Sequence, residues 1–338
     1  LILSPTILNF RNPLGRLRFT NIIQQIWNTT YSSILNSIAS PCPTAMLPTH
    51  PLFCPPNFSC RTISTSRGKI NYYEANPAAA RTIVFLHGFG GGSSSFEWSK
   101  VYPAFSSDLR VLAPDLPGWG FSEHTARSYA SSDYRIAIAE FLDATCPKPA
   151  IVVASSVVAG LSLWLATEFP ERFQSLVLMC PTGLSDFGKT FNGDAFQLIS
   201  NLPITNYLLY SQIIVSPLSI RLFLENVLFA NKKRVTEEMV DAYYISGQQP
   251  RAEYAAYSFL KGNMSFDLAH YVPSLSVPTA ILWGEKVNFA TPNLGKQLAA
   301  LSPQVKFFHI IPDTGTVPHL ELPAVTIAAI VQSLRATT

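Results

Sequence analysis

The chain has 338 residues, of which 48% are hydrophobic and 13% are charged, and its formal net charge is +3. This length is sufficient for one large domain with a substantial core, or for one domain with an insertion. No Lys/Arg block interleaved with aromatic residues occurs, which argues against nucleic-acid binding. No run of 18 or more apolar residues occurs either, so we expect no transmembrane segment.

The N-terminal part of the chain differs in composition from the rest. It has no acidic residue before Glu74, whereas Arg, Ser, Thr, Asn and Pro are frequent. An acid-poor, Arg-containing and hydroxyl-rich leader is typical of organelle transit peptides. We therefore expect residues 1–58 to be a transit peptide, with the chloroplast as the suspected destination, or else a disordered tail of a cytoplasmic protein. Residues 59–338 are expected to fold.

Beyond residue 60 the patterns of strands and helices alternate. Strands are predicted, in chain order, in RTIST, KINYYE, RTIVFLHG, LRVLAPD, AIVVAS, QSLVLMCP, VPTAILWG and VKFFHII. The first two form a hairpin around Ser66–Arg67–Gly68, and the continuous apolar runs RTIVFLHG and LRVLAPD predict strands that are buried on both faces. Helices are predicted in SSDYRIAIAEFLDAT, VVAGLSLWLATEFPERF, NLGKQLAAL and PAVTIAAIVQSLRA. This alternation predicts an α/β fold with a mostly parallel central sheet and helices on both faces.

The segment from about 185 to 270 interrupts the alternation. It is helical in character and rich in apolar residues, as in LPITNYLLYSQIIVSPLSIRLFLENVLFA. Because it lies between two strands, it predicts a helical cap over the carboxyl edge of the sheet, where open α/β sheets bind ligands. Its apolar character favours a small apolar molecule as the ligand. A second interpretation is that the cap binds a protein partner through an apolar surface.

Four short motifs lie at element ends. They are LHGFGGGSSSFEW, PDLPGWGFSE, the turn at Ser156 with FPERFQSLVLMCP after it, and ILWGEKVNF with IPDTGTVPHLELP near the C terminus. Because of these motifs and the order of its predicted elements, the chain from about Arg61 to Ala336 resembles the α/β-hydrolase superfamily, in its capped esterase and lipase-like branch. The resemblance implies the α/β-hydrolase fold and a hydrolase ancestry. It also implies an oxyanion hole formed by the backbone N–H groups of Phe89 and Val157.

The turn after the strand AIVVAS reads ASSVV, residues 154–158. The family carries its nucleophilic serine in G-x-S-x-G on a strained strand-to-helix turn, so the resemblance implies Ser156 as the nucleophile. Ala154 is small, but Val158 is β-branched at a position where the helix should approach the neighbouring strand closely. A serine hydroxyl also needs a base within hydrogen-bond reach, and that base needs an orienting carboxylate.

The two positions at which the family carries its catalytic acid and its catalytic base hold other residue types in this sequence. The family's acid follows a strand as G-x-x-D, and the third residue after Gly284 is Val287, which cannot accept a hydrogen bond. The family's base is the first histidine of G-H-x-P-H-x-E-x-P, and this position holds Thr316, which has no usable pKa near neutrality. The resemblance therefore implies a degenerate triad in which Ser156 is a relict nucleophile.

Two residues are candidate substitutes for the lost partners. His319 lies three residues beyond Thr316, and Asp186 follows the strand SLVLMCP, where some relatives carry their acid. Each also has a structural interpretation, His319 as a packing or capping residue and Asp186 as a turn or N-cap residue. Metal-ligand spacing is absent from the His, Cys and Asp positions, so we expect no metal and no cofactor.

The sequence thus predicts a hydrolase-like protein with little or no conventional serine-hydrolase activity, which binds a small apolar ligand or a partner. The alternative is an active hydrolase of ester-like substrates that depends on Ser156 and uses His319 and Asp186 as non-standard partners.

Overall fold

The computed structural model describes residues 47–188, 210–287 and 290–337. It contains an eight-stranded sheet with the strand order β1-β2-β4-β3-β5-β6-β7-β8. The strands are β1 Ser59–Thr65, β2 Gly68–Ala75, β3 Thr82–Leu86, β4 Arg110–Pro114, β5 Ala150–Ser155, β6 Phe173–Met179, β7 Thr279–Gly284 and β8 Val305–Ile311. Only the pairs β1–β2 and β2–β4 are antiparallel, which confirms the mostly parallel sheet predicted from the sequence.

Eight α-helices are present in the described ranges. They are α1 Ser131–Thr145, α2 Ser156–Glu168, α3 Pro217–Phe223, α4 Glu237–Gly247, α5 Ala252–Leu260, α6 Pro292–Ala300, the single turn α7 Pro318–Glu321 and α8 Pro323–Thr337. None of these helices has the length and apolar character needed to cross a membrane.

The central strand β5 and the helix that follows it form the middle of the core. Every residue of β5 is buried, as expected of a parallel strand that helices cover on both faces. Helix α2 is also buried along most of its length. It ends at Glu168 because Phe169 precedes Pro170, and a residue before proline disfavours the helical conformation. This core fixes the position of the β5–α2 turn, where Ser156 lies.

The folded domain includes residues upstream of residue 59. The sequence analysis had predicted that the domain begins at residue 59. Phe53 is fully buried and packs edge-on against Phe121, with ring centroids 4.7 Å apart, and against Phe96 at 6.2 Å. Residues 47–58 form turns, which have no helix or strand periodicity and so gave no signal in the sequence. Residues 1–46 lie outside the described part of the chain, and the targeting leader stays a prediction.

The cap is helical where the structure describes it, as the sequence predicted. It contains α3, α4 and α5, and the side chain of Thr236 caps the N terminus of α4 by accepting a hydrogen bond from the Met239 N–H. Helix α4 rests on the glycine-rich loop that follows β3. A Cβ atom on Gly92, whose φ is +88°, would lie 2.1 Å from the carbonyl oxygen of Tyr243, so this contact requires glycine. Residues 189–209 of the predicted cap lie outside the described ranges.

Candidate active site

Ser156 is the first residue of α2 and directly follows β5. Its φ is +56°, in the left-handed region that non-glycine residues rarely adopt, so the backbone at this turn is strained. The side chain is half-buried, whereas Val157 is fully buried. The Val157 N–H lies in the first helical turn, where backbone donors have no partner within the helix. This geometry is that of a strand-to-helix turn that presents a serine hydroxyl at the carboxyl edge of the sheet.

Val158 is fully buried in α2, and two residues later, at Gly160, the helix packs closely against the segment after β6. A Cβ atom on Gly160 would lie 2.5 Å from the carbonyl oxygen of Thr182. The Thr182 N–H in turn donates to the carbonyl oxygen of Ser156, at 3.3 Å. The small residue that this packing needs is therefore present, two positions after the one that the family pattern indicates.

Replacement of Gly160 by alanine is expected to destabilise the protein by about 1–2 kcal/mol. Alanine favours a helix over glycine by about 1 kcal/mol, but overpacking costs about 1–3 kcal/mol, and a backbone carbonyl cannot move aside as a side chain can. Urea denaturation would measure the change. Gly91→Ala is the control, because its Cβ would meet side-chain methyl groups, of Val215 at 3.2 Å and of Ile214 at 3.9 Å, and no backbone carbonyl. A Gly160→Ala variant more stable than the parent would contradict the close approach.

The loop after β3 carries the other predicted oxyanion donor, the backbone N–H of Phe89. The Phe89 ring is buried and stacks on Trp119, with centroids 5.0 Å apart and planes 8° from parallel. His87 holds the same loop to the one after β4, because its Nε2 accepts the Leu116 N–H at 2.9 Å. That acceptor role places the proton on Nδ1, which lies 2.7 Å from the carbonyl oxygen of Gly88. Both residues fix the backbone conformation of the loop.

Val287 and Thr316, the positions at which the sequence analysis expects the family's acid and base, lie on two loops that touch. The Lys286 N–H donates to the Thr314 carbonyl at 2.9 Å, next to Val287 on one loop and two residues before Thr316 on the other. Val287 and Thr316 are both buried, and the Thr316 hydroxyl has no hydrogen-bond partner in the described structure. The Thr316 N–H donates to the carbonyl oxygen of Leu228, at 2.7 Å. The fold therefore brings the two positions together, but neither side chain can act as an acid or a base.

His319 is completely buried and makes no hydrogen bond to Ser156. Its ring stacks on Trp98, with centroids 3.9 Å apart, and neither ring nitrogen has a hydrogen-bond partner in the described part of the chain. Its Nε2 lies 3.9 Å from Oε2 of Glu97, which is too long for a direct hydrogen bond. Burial lowers the pKa of the His319 imidazole below its ordinary value, although Glu97 opposes this shift. The ring is therefore held in place against Trp98 and lies beside the Glu97 carboxylate.

Glu97 is a site residue that the sequence analysis did not identify. Its carboxylate is buried and accepts the Gly88 N–H at 2.9 Å and the Tyr243 hydroxyl at 3.0 Å. Burial would raise the pKa of Glu97, but the nearby His319 and His87 rings hold it below its ordinary value, so the group is ionised. An acidic residue within the hydroxyl-rich stretch SSSFEW was the only sequence signal for this position. Nothing in the sequence pattern linked it to Tyr243.

The Asp186 carboxylate accepts hydrogen bonds from groups close to it in the fold. Its carboxylate accepts the Thr182 hydroxyl at 2.7 Å, the Gly183 N–H at 3.0 Å and the Leu268 N–H at 2.9 Å. Burial raises the pKa of this carboxyl group, and the three hydrogen bonds oppose the rise. These contacts tie the segment after β6 to the end of the cap. Asp186 thus has the structural surroundings of a turn residue, and it makes no hydrogen bond to His319.

In the described ranges, no group of three or more His, Cys, Asp or Glu side chains is placed so that it could hold a metal ion.

A family model described as alpha/beta hydrolase fold matches residues 81–323, and the chain belongs to this family. The uncharacterized hydrolase YugF of Bacillus subtilis (strain 168) is 27% identical over 252 residues, which are 72% of this chain and 88% of that protein. The 2-hydroxy-6-oxo-6-phenylhexa-2,4-dienoate hydrolase of Burkholderia cepacia is 25% identical over 259 residues, 74% of this chain and 85% of that protein.

Among solved structures, a mutant of the meta-cleavage product hydrolase CumD from Pseudomonas fluorescens IP01 superimposes with a TM-score of 0.66 at 20% identity. The match covers 82% of this chain and 98% of that chain. At this identity the likeness shows the fold, and it confirms the α/β-hydrolase architecture that the motifs predicted.

Proposed function

We propose that this member of the α/β-hydrolase family is a binding protein with little or no conventional serine-hydrolase activity, and that its ligand is a small, largely apolar molecule bound beneath the cap. The observation that carries the proposal is that Ser156 lacks an imidazole partner. In the described part of the chain, no histidine ring makes a hydrogen bond to its hydroxyl: His87 and His124 bond to backbone groups, and the ring nitrogens of His319 have no hydrogen-bond partner. A serine hydroxyl without a base within hydrogen-bond reach is a poor nucleophile.

The positions of all six histidines support the absence of an imidazole partner for Ser156. The sequence has six histidines, at positions 50, 87, 124, 270, 309 and 319, and all of them lie within the described residues. His87 and His124 are engaged by backbone groups, and His319 is held against Trp98. None of the six donates to or accepts from the Ser156 hydroxyl. The sequence of residues 189–209 contains no histidine, so this segment cannot supply a missing imidazole.

The apolar ligand is supported by the composition of the cap and by the ancestry of the fold. Residues 198–229 are dense in Leu, Ile, Phe and Tyr, and the curated relatives named above are hydrolases that share this scaffold. In open α/β sheets, ligands bind at the carboxyl edge, which is where Ser156 lies.

We expect a fluorophosphonate probe to label Ser156 at least about 10³-fold more slowly than it labels a serine hydrolase with a complete triad. The probe requires an activated hydroxyl, and Val287 and Thr316 supply neither a base nor its orienting group. Intact-protein mass spectrometry at neutral pH over time would measure the labelling. The Ser156→Ala variant is the control for reaction at other sites.

A different outcome would establish the second candidate function. Rapid stoichiometric labelling of Ser156, abolished by His319→Ala, would show that the protein is a hydrolase with a substitute base. The observation that favours this candidate is the retained strained turn, which keeps a half-buried Ser156 next to the Val157 N–H. An oxyanion hole alone can retain about 10³–10⁴-fold acceleration over water, so trace ester hydrolysis agrees with the first proposal.

A further inference from the structure

A surface groove of about 320 Å³, here called the α8 groove, lies between helix α8 and the segments that precede β3 and β4. Arg81 directly precedes β3 and Leu109 directly precedes β4, so the groove lies at the amino ends of these two parallel strands. Ser156 follows the carboxyl end of β5, which is also parallel to β3. Because a strand of five residues is roughly 16 Å long, the α8 groove is separate from the serine site.

The floor of the α8 groove is apolar. Helix α8 contributes Ile327, Val331 and Leu334, whose spacing of four and three residues places them on one face of the helix. All three are half-buried and pack against the core. Phe105 and Leu109, both buried, line the groove from the segment before β4. A hydrocarbon chain in the groove would cover the part of the α8 face that is still exposed, and the hydrophobic effect favours this burial.

The charged residues that line the α8 groove are Arg81, Arg335 and Asp108, and all three are exposed. None of them makes an ion pair in the described part of the chain. The neighbouring Arg110 is paired with Glu74, at 2.6 Å. Two guanidinium groups and one carboxylate therefore leave a net positive charge in an apolar groove. The fork of donors on a guanidinium matches the two oxygens of a carboxylate.

We propose that the α8 groove binds a carboxylate with an apolar tail, of the size of a medium-chain fatty acid. The carboxylate accepts hydrogen bonds from the Arg81 and Arg335 side chains, and the tail lies along the apolar face of α8. The volume sets the size of the ligand, because it is at the lower end of the range of about 300–1,000 Å³ for small-molecule sites. A peptide helix, about 10 Å in diameter, needs a wider groove. This site is independent of the ligand proposed beneath the cap.

Octanoate and octylammonium, which have the same hydrocarbon chain and opposite charges, are the probes that test this site. Calorimetry at pH 7.5 and low salt measures their binding to the full chain, and methyl NMR of Ile327, Val331 and Leu334 reports whether they occupy the groove. We expect octanoate to bind about fivefold or more tightly than octylammonium, since even exposed ion pairs contribute up to about this factor. Butanoate should bind at least about tenfold more weakly than octanoate, because it lacks four methylene groups.

Substitutions of the charged residues should change octanoate affinity in opposite directions. Arg81→Gln and Arg335→Gln should each weaken binding about threefold, and the double variant about tenfold. Asp108→Asn should strengthen binding about twofold, because it removes the like charge from the groove. Arg251→Gln is the matched control, since Arg251 is an exposed arginine of the cap without an ion pair in the described residues. It should leave the affinity unchanged.

Four results would each overturn the proposal. They are the absence of octanoate binding with a Kd below about 1 mM, octylammonium binding as tight as that of octanoate, octanoate binding that the double arginine variant does not weaken, and methyl shifts that follow the protein concentration instead of octanoate. The last result would assign the groove to a second copy of the chain. The labelling rate of Ser156 depends on none of these measurements, so a failure here leaves the proposed function standing.

Discussion

The double variant Val287→Asp/Thr316→His is expected to hydrolyse a short-chain aryl ester at least about 10²-fold faster than the parent protein. General base catalysis typically contributes about 10²–10⁴-fold, and this pair would restore both the base and the group that orients it. The two positions lie on loops joined by the hydrogen bond from the Lys286 N–H to the Thr314 carbonyl. The fold therefore already brings together the backbone positions that carry the new side chains.

The single variants should gain far less, so the two effects should be strongly non-additive. Histidine alone would lack an orienting carboxylate and would often hold the wrong tautomer. Aspartate alone would place an unpaired charge at the buried Val287 position and lower the stability. Initial rates of the parent, both single variants and the double variant, with their melting temperatures, measure the coupling.

Adding Val158→Gly tests whether the turn itself has diverged. Because α2 already packs closely at Gly160, we expect the triple variant to gain little activity over the double variant. It should lose about 2–4 kcal/mol of stability, from the buried Val158 side chain and from a glycine within the helix. A misplacement of Ser156 by about 1 Å would cost on the order of 10²-fold in rate. A folded triple variant no more active than the parent would remove the support for Ser156 as a relict nucleophile.

Replacement of Glu321 by alanine is expected to lower the free energy of unfolding by about 3–5 kcal/mol. The side chain is fully buried and accepts the backbone N–H groups of Ala230, Asn231 and Gly315 at 3.1, 2.8 and 2.7 Å, as well as the Arg234 guanidinium at 3.0 Å. Its loss would leave three buried or half-buried donors and one cation without their acceptor.

Thermal and urea denaturation would detect this loss, which corresponds to a fall of roughly 6–20 °C in melting temperature for a domain of this size. Glu171→Ala is the control, because an exposed ion pair contributes at most about 1 kcal/mol. Glu321→Gln should lie between the two, since an amide keeps one of the two acceptor oxygens. Equal stability of the Glu321→Ala and Glu171→Ala variants would show that Glu321 does not hold the Thr316 loop to the cap.

The sequence by itself determined the α/β architecture and the place of the serine turn. Strands such as AIVVAS and helices such as SSDYRIAIAEFLDAT have local patterns, and hydrophobic periodicity reports local structure directly. The hairpin around Ser66–Arg67–Gly68 followed from turn chemistry in the same way, and Thr65 pairs with Gly68 in the structure. The identities of Val287 and Thr316 could also be read from the sequence, because short motifs flank both positions.

Only the tertiary structure decided which side chains meet at Glu97, next to the loop that follows β3. Glu97 and Tyr243 are 146 positions apart in sequence, and His319 comes from a third segment, so no local pattern could indicate that they meet. The close approach at Gly160 is of the same kind, because it depends on the path of the backbone at Thr182. Periodicity determines which face of an element is buried, whereas contacts among four distant segments depend on how the cap and the loops pack on the sheet.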